Sequence, residues 1–198
     1  RVALGVVPGP VRLGEHLDGH AHLGRAMPRL EHLPHAAPPE GGAEVERAQA
    51  EGLHAAALED LDRAVALEPN STDVRATRGM LRQEAALFLM ERGRSPDNGF
   101  RGALEDFDRV IESRPTLAGG WILRGAVQVN WGLWRMGRGE DPRQRFAAAD
   151  ADLARALEMD PSQFAAELYL GNARLNEGLY RMLHGEDAAS VYASALEA

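Results

Sequence analysis

The apolar residues of this chain follow a helical spacing from Ala43 onward, and the pattern repeats every 46 residues. The period is marked by Pro69, Pro115 and Pro161, and a glycine stands ten residues after each of these prolines. A pair of helices cannot bury its apolar face alone, so a period of this length is typical of helix pairs stacked into an array. The chain is therefore predicted to be all-α.

The predicted helices begin and end at residues that suit helix termini. Each repeat proline ends a helix, because proline cannot continue the backbone hydrogen bonds. Ser71 and Thr116 are expected to cap the helices that follow. Gly93, Gly139 and Gly185 suit the left-handed conformation that closes a helix. The predicted helices span about 44–67, 72–92, 96–113, 118–138 and 142–159, with bounds good to about three residues.

The second helix of each pair is expected to begin with a polar cap followed by proline, as in Ser95-Pro96 and Asp141-Pro142. Asp187 keeps the cap in the last repeat. The acidic pairs Glu140-Asp141 and Glu186-Asp187 could alternatively form a loop that binds a cation. Their position between a closing glycine and a helix start favours capping.

A stripe of apolar residues on the first helix of each pair is predicted to form the core, because it recurs in register. The stripe comprises Leu87, Phe88, Met90, Leu133, Trp134, Met136, Leu179, Tyr180 and Met182. Small residues should let the helices approach closely. These are the glycines at 79, 125 and 171 and the alanines at 57, 103 and 149.

The repeat resembles the tetratricopeptide repeat over about residues 50–198. The resemblance rests on the glycine after each proline, the small residue twelve before the next one, Trp121, and endings such as Leu67-Glu68-Pro69. The unit of 46 residues is longer than the family's usual unit of about 34. The resemblance implies a right-handed superhelical solenoid of antiparallel helix pairs over residues 43–198, with a concave surface that binds other proteins.

The longer unit has a signature of its own, Asn-x-Gly-Leu-x-Arg-Met, beginning at Asn130 and again at Asn176. It is similar to long repeats that follow the catalytic domain in some bacterial serine/threonine protein kinases. No kinase motif occurs in the chain itself. The expected function is a non-catalytic protein-interaction scaffold, a regulatory or docking region of a bacterial signalling kinase.

The partner-binding groove is predicted from the same resemblance, which places the first helix of each pair on the concave face. Asparagine amides there could hold the backbone of a peptide, and aliphatic neighbours would supply buried area. Packing against the next repeat is the alternative interpretation. The predicted groove residues are Ile122, Ala126, Val129, Asn130, Leu168, Asn172, Leu175 and Asn176.

Trp131 joins this set because its repeat equivalents are Ala85 and Glu177. An aromatic residue that the repeat does not preserve is a candidate anchor for a partner. Filling a local gap is the equally weighted alternative.

Residues 1–42 are predicted to be a linker or covering segment, because they hold six of the eleven prolines and no sustained helical period. His16, His20 and His22 are the densest set of potential metal ligands there. Their spacing matches no structural zinc motif, so no metal and no cofactor are expected. A metal-dependent enzyme using these histidines remains the minor alternative.

Composition narrows the remaining possibilities. The formal charge of −8 argues against nucleic acid as a main partner. The chain lacks cysteine and any apolar run long enough for a membrane span, which favours a cytoplasmic protein that binds no membrane. An aspartate and an arginine three residues apart recur in each repeat, as Asp60/Arg63, Asp106/Arg109 and Asp152/Arg155. This spacing predicts surface ion pairs or hydrogen bonds between repeats.

The last residues match the beginning of another second helix, since Ala195-Leu196-Glu197 repeats Ala103-Leu104-Glu105. The preceding helix would then lack its full cover, so the natural protein is expected to continue. A homo-oligomer formed through this open edge is a further expectation. Self-association without another ligand is the alternative function.

Overall fold

A computed structural model describes residues 42–189 and 191–192, with side chains described from residue 48 onward. These residues form helices and no strands, so the all-α prediction is confirmed for this part of the chain. The helices are α1 (Gly42–Leu67), α2 (Thr72–Met90), α3 (Asp97–Ser113), α4 (Ala118–Gly137), α5 (Arg143–Met159) and α6 (Phe164–Leu183). The five predicted helices agree with α1 to α5 within two residues at each end.

The chain divides into two units, Arg1–Ala50 and Glu51–Ala198, and the division falls within α1. The predicted linker, residues 1–42, lies outside the described residues apart from Gly42. The predicted boundary between residues 42 and 43 stays a prediction.

Capping side chains predicted from the sequence accept hydrogen bonds from backbone amides at several helix starts. Ser71 Oγ accepts from the Val74 amide at 3.4 Å, and Asp141 Oδ1 accepts from the Arg143 amide at 2.9 Å. The Asp187 carboxylate does the same at the start of the last described turn. Capping is therefore the role of these aspartates. The prediction for Thr116 was wrong, because Leu117 takes the extended cap position and has no side-chain acceptor.

The predicted closing glycines adopt the left-handed conformation, with φ of 68° at Gly93, 74° at Gly139 and 72° at Gly185. Only glycine tolerates this conformation without strain. The turns between paired helices therefore recur with the same period as the helices themselves.

Asp141 gives a pH-dependent prediction. Hydrogen bonds from Arg143 lower the pKa of Asp141 to about 2. Its ionised form therefore stabilises the fold above its ordinary pKa of 3.8, and this contribution is lost as the pH falls towards 2. We expect Asp141→Ala to lower the free energy of unfolding by about 0.5–2 kcal/mol at pH 7. Urea unfolding should show the difference shrinking between pH 4 and pH 2.

The control is Glu140→Ala, which removes an exposed neighbouring carboxylate that caps nothing. Its effect should stay below about 1 kcal/mol at pH 7. An Asp141→Ala difference that is unchanged at pH 2 would contradict the electrostatic origin of the cap's contribution.

The helices of unit Glu51–Ala198 pack as successive pairs. α2 packs against α3, and α4 packs against α5. The pairs are joined by contacts of α3 with α4 and of α5 with α6, while α4 also contacts α2 and α6. α4 thus lies between the first helices of the preceding and following pairs.

The largest fully buried side chains lie on α3 and α5, whereas the predicted stripe lies mostly at the edge of the core. Phe100, Phe107, Phe146 and Leu153 are fully buried. The predicted stripe is half-buried at most of its positions, and Met182 is 56% exposed. The prediction considered the first helix of each pair, whereas large side chains of the second helix fill the centre of each pair.

Glycines give these large side chains their room. A Cβ at Gly79 would lie 2.7 Å from Phe107, one at Gly125 would lie 2.7 Å from Leu153, and one at Gly132 would lie 2.6 Å from Phe146. The predicted close approach is confirmed at positions 79 and 125. At Gly171 a Cβ would meet nothing within 4 Å, so no close approach occurs there among the described residues.

Two of the three repeated aspartates, Asp106 and Asp152, bridge neighbouring helices, whereas Asp60 forms the expected pair three residues away. Asp60 pairs with Arg63 at 3.1 Å on the surface. Asp106 is 1% exposed and accepts hydrogen bonds from Arg78 at 3.0 Å and Arg82 at 2.9 Å. Both arginines lie on α2, in the same helix pair as Asp106, so neither the surface pair nor a hydrogen bond between repeats is found at this position.

The same arrangement recurs one period later, where Arg124 Nε donates to Asp152 at 2.8 Å and Nη1 donates to Asp108 at 2.7 Å. Arg78 likewise donates to Asp62 at 2.8 Å. Hydrogen bonding to Asp106 raises the pKa of Arg78 above its ordinary value. Each arginine therefore joins two carboxylates on the helices that flank it. Arg109 and Arg155 pair instead with Glu112 and Glu158.

Candidate functional site

The predicted groove residues on α4 lie inside the fold. Ile122, Ala126, Val129 and Asn130 are each at most 7% exposed. The three apolar residues pack in one cluster with residues of α6, namely Tyr169, Leu170 and Ala173. This part of the groove prediction needs correction, because these residues are buried in a cluster that α4 shares with α5 and α6, which leaves them no surface for a partner.

The predicted groove residues on α6 lie at the surface. Leu168, Asn172 and Asn176 are half-buried, and Leu175 is 53% exposed. Each stands 46 residues after one of the buried α4 residues. The two halves of the predicted groove therefore have the same register, but the α6 half is more exposed than the buried α4 half.

A row of apolar side chains at the surface runs along α6, three of them exposed and Leu168 half-buried. We call this row the α6 stripe: Phe164, Leu168, Leu175 and Met182. The steps of four, seven and seven residues place these side chains on one side of a helix. Phe164 is 72% exposed and Met182 is 56% exposed. Large apolar side chains that share one exposed face mark a contact surface more reliably than scattered ones do.

The residues at the corresponding positions on α4 are buried against other helices. Ile122 and Val129 are the equivalents of Leu168 and Leu175, and both are buried in the cluster that joins α4 to α6. Ala118 and Met136 are partly buried against the same cluster. The α6 stripe therefore repeats a face that elsewhere in the fold packs against a helix.

Sequence reasoning included Leu168 and Leu175 in the site but missed Phe164 and placed Met182 in the core. The helical steps from Leu168 to positions 164, 175 and 182 could have found both. The polar residues beside the stripe are partly engaged, since Asn176 Nδ2 donates to the Asn172 carbonyl at 2.7 Å. One of the amide donors predicted to hold a peptide is thus used within α6.

Trp131 fills an internal gap, which was the alternative interpretation of this residue. It is 7% exposed and packs against Phe100 with ring centroids 5.9 Å apart. Its indole Nε1 donates to Asp97 at 2.8 Å, and the guanidinium of Arg145 lies 3.6 Å from the ring centroid. This burial leaves no indole face for a partner to contact.

The described side chains contain no group of three or more His, Cys, Asp or Glu residues that could hold a metal ion. The histidines considered as metal ligands, His16, His20 and His22, lie outside the described residues. Among the described helices, none is long and apolar enough to cross a membrane.

The tetratricopeptide assignment rests on the sequence resemblance alone. No model of a known protein family matches the chain. A comparison with curated proteins likewise gives no match.

Proposed function

We propose that the chain is a non-catalytic protein-binding scaffold, a tetratricopeptide-like superhelical solenoid whose contact surface is the α6 stripe. The observation that carries the proposal is the row formed by the exposed side chains of Phe164, Leu175 and Met182 with the half-buried Leu168 among them. Removing apolar side chains of this size from water is the main favourable contribution to most protein–protein association.

The partner expected at this surface is a helical segment of another protein. The equivalent face of α4 is covered by a helix, and Ile122 and Val129 are buried in that contact. Leu168 and Leu175 have similar size and the same spacing. A partner helix with apolar residues three or four positions apart would therefore fit the stripe.

Selection from a displayed library of 20-residue peptides, with the whole chain immobilised, tests this function and requires no identified partner. We expect enrichment of peptides with apolar residues at helical spacing. The double variant Leu168→Ser/Leu175→Ser should weaken their binding at least about tenfold, which corresponds to about 1.4 kcal/mol. Because neither side chain is fully buried, circular dichroism should show an unchanged helix content.

The matched control is Leu53→Ser/Leu67→Ser on α1, where the two leucines are 71% and 84% exposed. This variant removes the same side chains away from the stripe and should bind the selected peptides as the natural chain does. Equal weakening in both double variants, or no enriched peptide at all, would contradict the proposed surface.

Self-association is the alternative occupant of the stripe. Light scattering across a concentration series distinguishes the two, because self-association would raise the apparent mass with concentration and the Leu168→Ser/Leu175→Ser variant would abolish the rise. The connection with a bacterial signalling kinase and the cytoplasmic location stay predictions, since both rest on sequence alone.

A further inference from the structure

Residues that break the 46-residue repeat come together around Trp131. The positions are those of Asp97, Arg101, Trp131 and Arg145, and no other repeat carries the same residue at any of them. The residues at the position of Asp97 in the other repeats are Glu51, Arg143 and Ala189, and those at the position of Arg101 are all alanine, namely Ala55, Ala147 and Ala193. The position of Trp131 holds Ala85 and Glu177 elsewhere. The position of Arg145 holds Leu53, Gly99 and Val191. Among these residues only Glu51 has the same charge as the residue it corresponds to, the negatively charged Asp97. Packing between repeats does not require these side chains, because the other repeats do without them.

Arg145 is held in place within this group. Its guanidinium stacks 3.6 Å from the centroid of the Trp131 ring, and its Nη1 donates to Gln128 Oε1 at 3.1 Å. The Trp131 ring is itself fixed by the bond from its Nε1 to Asp97 Oδ1. A guanidinium held in this way loses little further side-chain entropy when it binds a ligand.

Arg145 and its neighbour Arg101 are unusual among the arginines of this acidic chain. Within residues 48–189 every arginine forms an ion pair with a described carboxylate except Arg75, Arg101 and Arg145. Among the described side chains, Arg101 donates only to that of Asn98, at 3.4 Å. Two of the three arginines without a carboxylate therefore lie in the same group.

Charged neighbours also act on the guanidinium of Arg145. Burial and the charges of Arg135 and Arg101 lower the pKa of Arg145, and Asp97 offsets this only in part. The Nε of Arg145 is buried and has no hydrogen-bond partner among the described residues. An anion placed beside these guanidinium groups would relieve their mutual repulsion.

We infer that Arg101 and Arg145 bind a carboxylate of an acidic peptide segment, with Trp131 acting as the positioning residue that holds Arg145. This inference rests on the proposed protein-binding function and adds a second contact to the α6 stripe. A carboxylate fits better than a phosphate, because Asp97 lies close by and the chain carries a charge of −8. Both repel a group of about −1.5 to −2 more strongly than a single negative charge.

The test titrates the whole chain with the peptide acetyl-Ala-Ala-Glu-Glu-Ala-Ala-amide and follows the three tryptophan indole N–H signals by NMR. We expect a saturable shift of the Trp131 signal, identified with a Trp131→Phe variant, and no shift with the peptide in which glutamine replaces glutamate. Arg101→Gln and Arg145→Gln should each weaken binding at least about fivefold, because each removes a charge-assisted contact. Arg101 is exposed, so its variant tests the site even if Arg145→Gln alters the local packing.

The matched control is Arg75→Gln, which removes the same charge from an arginine that also lacks a described carboxylate partner. Its affinity should stay within about twofold of the natural chain, since only screened long-range charge is lost. The inference is overturned if the glutamate peptide produces no saturable shift, or if Arg101→Gln binds as tightly as Arg75→Gln. It is also overturned if inorganic phosphate binds more tightly than the glutamate peptide and if Arg101→Gln and Arg145→Gln weaken phosphate binding to the same extent.

The Leu168→Ser/Leu175→Ser variant keeps both arginines and separates this test from that of the proposed function. Glutamate-peptide binding that persists in this variant supports the carboxylate site independently of the stripe. Library peptides that bind the stripe while the glutamate peptide does not bind would overturn this inference alone.

Discussion

Asp106→Ala should lower the free energy of unfolding by about 3–5 kcal/mol, because it leaves two largely buried guanidinium groups without their shared carboxylate. Asp106 is 1% exposed and accepts from both Arg78 and Arg82. The side chains of these arginines are only 13% and 23% exposed, so water replaces the lost carboxylate poorly. Urea unfolding monitored by circular dichroism measures the change.

The matched control is Asp60→Ala, which changes the same repeat position one period earlier. The Asp60 side chain is 76% exposed and pairs with Arg63 on the surface, so its loss should change stability by less than about 1 kcal/mol. If the two variants lost similar stability, the bridge between helices would not be the source of the Asp106 effect.

Gly125→Ala and Gly171→Ala should change stability in opposite directions, although the two glycines hold the same repeat position. Alanine favours a helix over glycine by about 1 kcal/mol. At position 125 this gain is opposed by a Cβ that would lie 2.7 Å from Leu153 Cγ, and overpacking of this kind costs about 1–3 kcal/mol. At position 171 nothing described lies within 4 Å, so the helix gain should remain.

Thermal unfolding of the two variants tests this contrast. We expect a lower melting temperature for Gly125→Ala and a higher one for Gly171→Ala. Stabilisation of both variants would show that Leu153 moves aside without penalty. Destabilisation of both would show that the surface of α6 near Gly171 is covered by a contact that the described residues do not show.

The candidate site was predictable only in part, because the repeat register does not reveal which copy of a face is covered. Ile122 and Leu168 hold the same position, as do Val129 and Leu175, and the sequence treats each pair alike. The first member of each pair is buried in a cluster with residues of α5 and α6, while the second is half-buried or exposed. Whether these side chains are exposed depends on the helices that pack against them. The sequence repeat does not contain this information.

The Asp–Arg bridges were hidden for a similar reason. Asp106 and Arg109 stand one helical turn apart, and this spacing favours a pair on the surface of an isolated helix. In the fold, Arg78 and Arg82 of the neighbouring helix bind Asp106 instead. A carboxylate that faces another helix is desolvated, and hydrogen bonds to buried charged groups outweigh a solvent-exposed ion pair.

The sequence by itself determined where the helices of this protein begin and end, because proline, glycine and capping side chains act on the backbone within a few residues. Gly93 and Asp141 illustrate this, and both have the conformation or contact that was predicted. The tertiary structure alone decided the partner of Asp106, the burial of Trp131 and the exposure of the α6 stripe. Each of these three features depends on which side chains of a neighbouring helix come within contact distance. Those side chains belong to residues far away in the sequence.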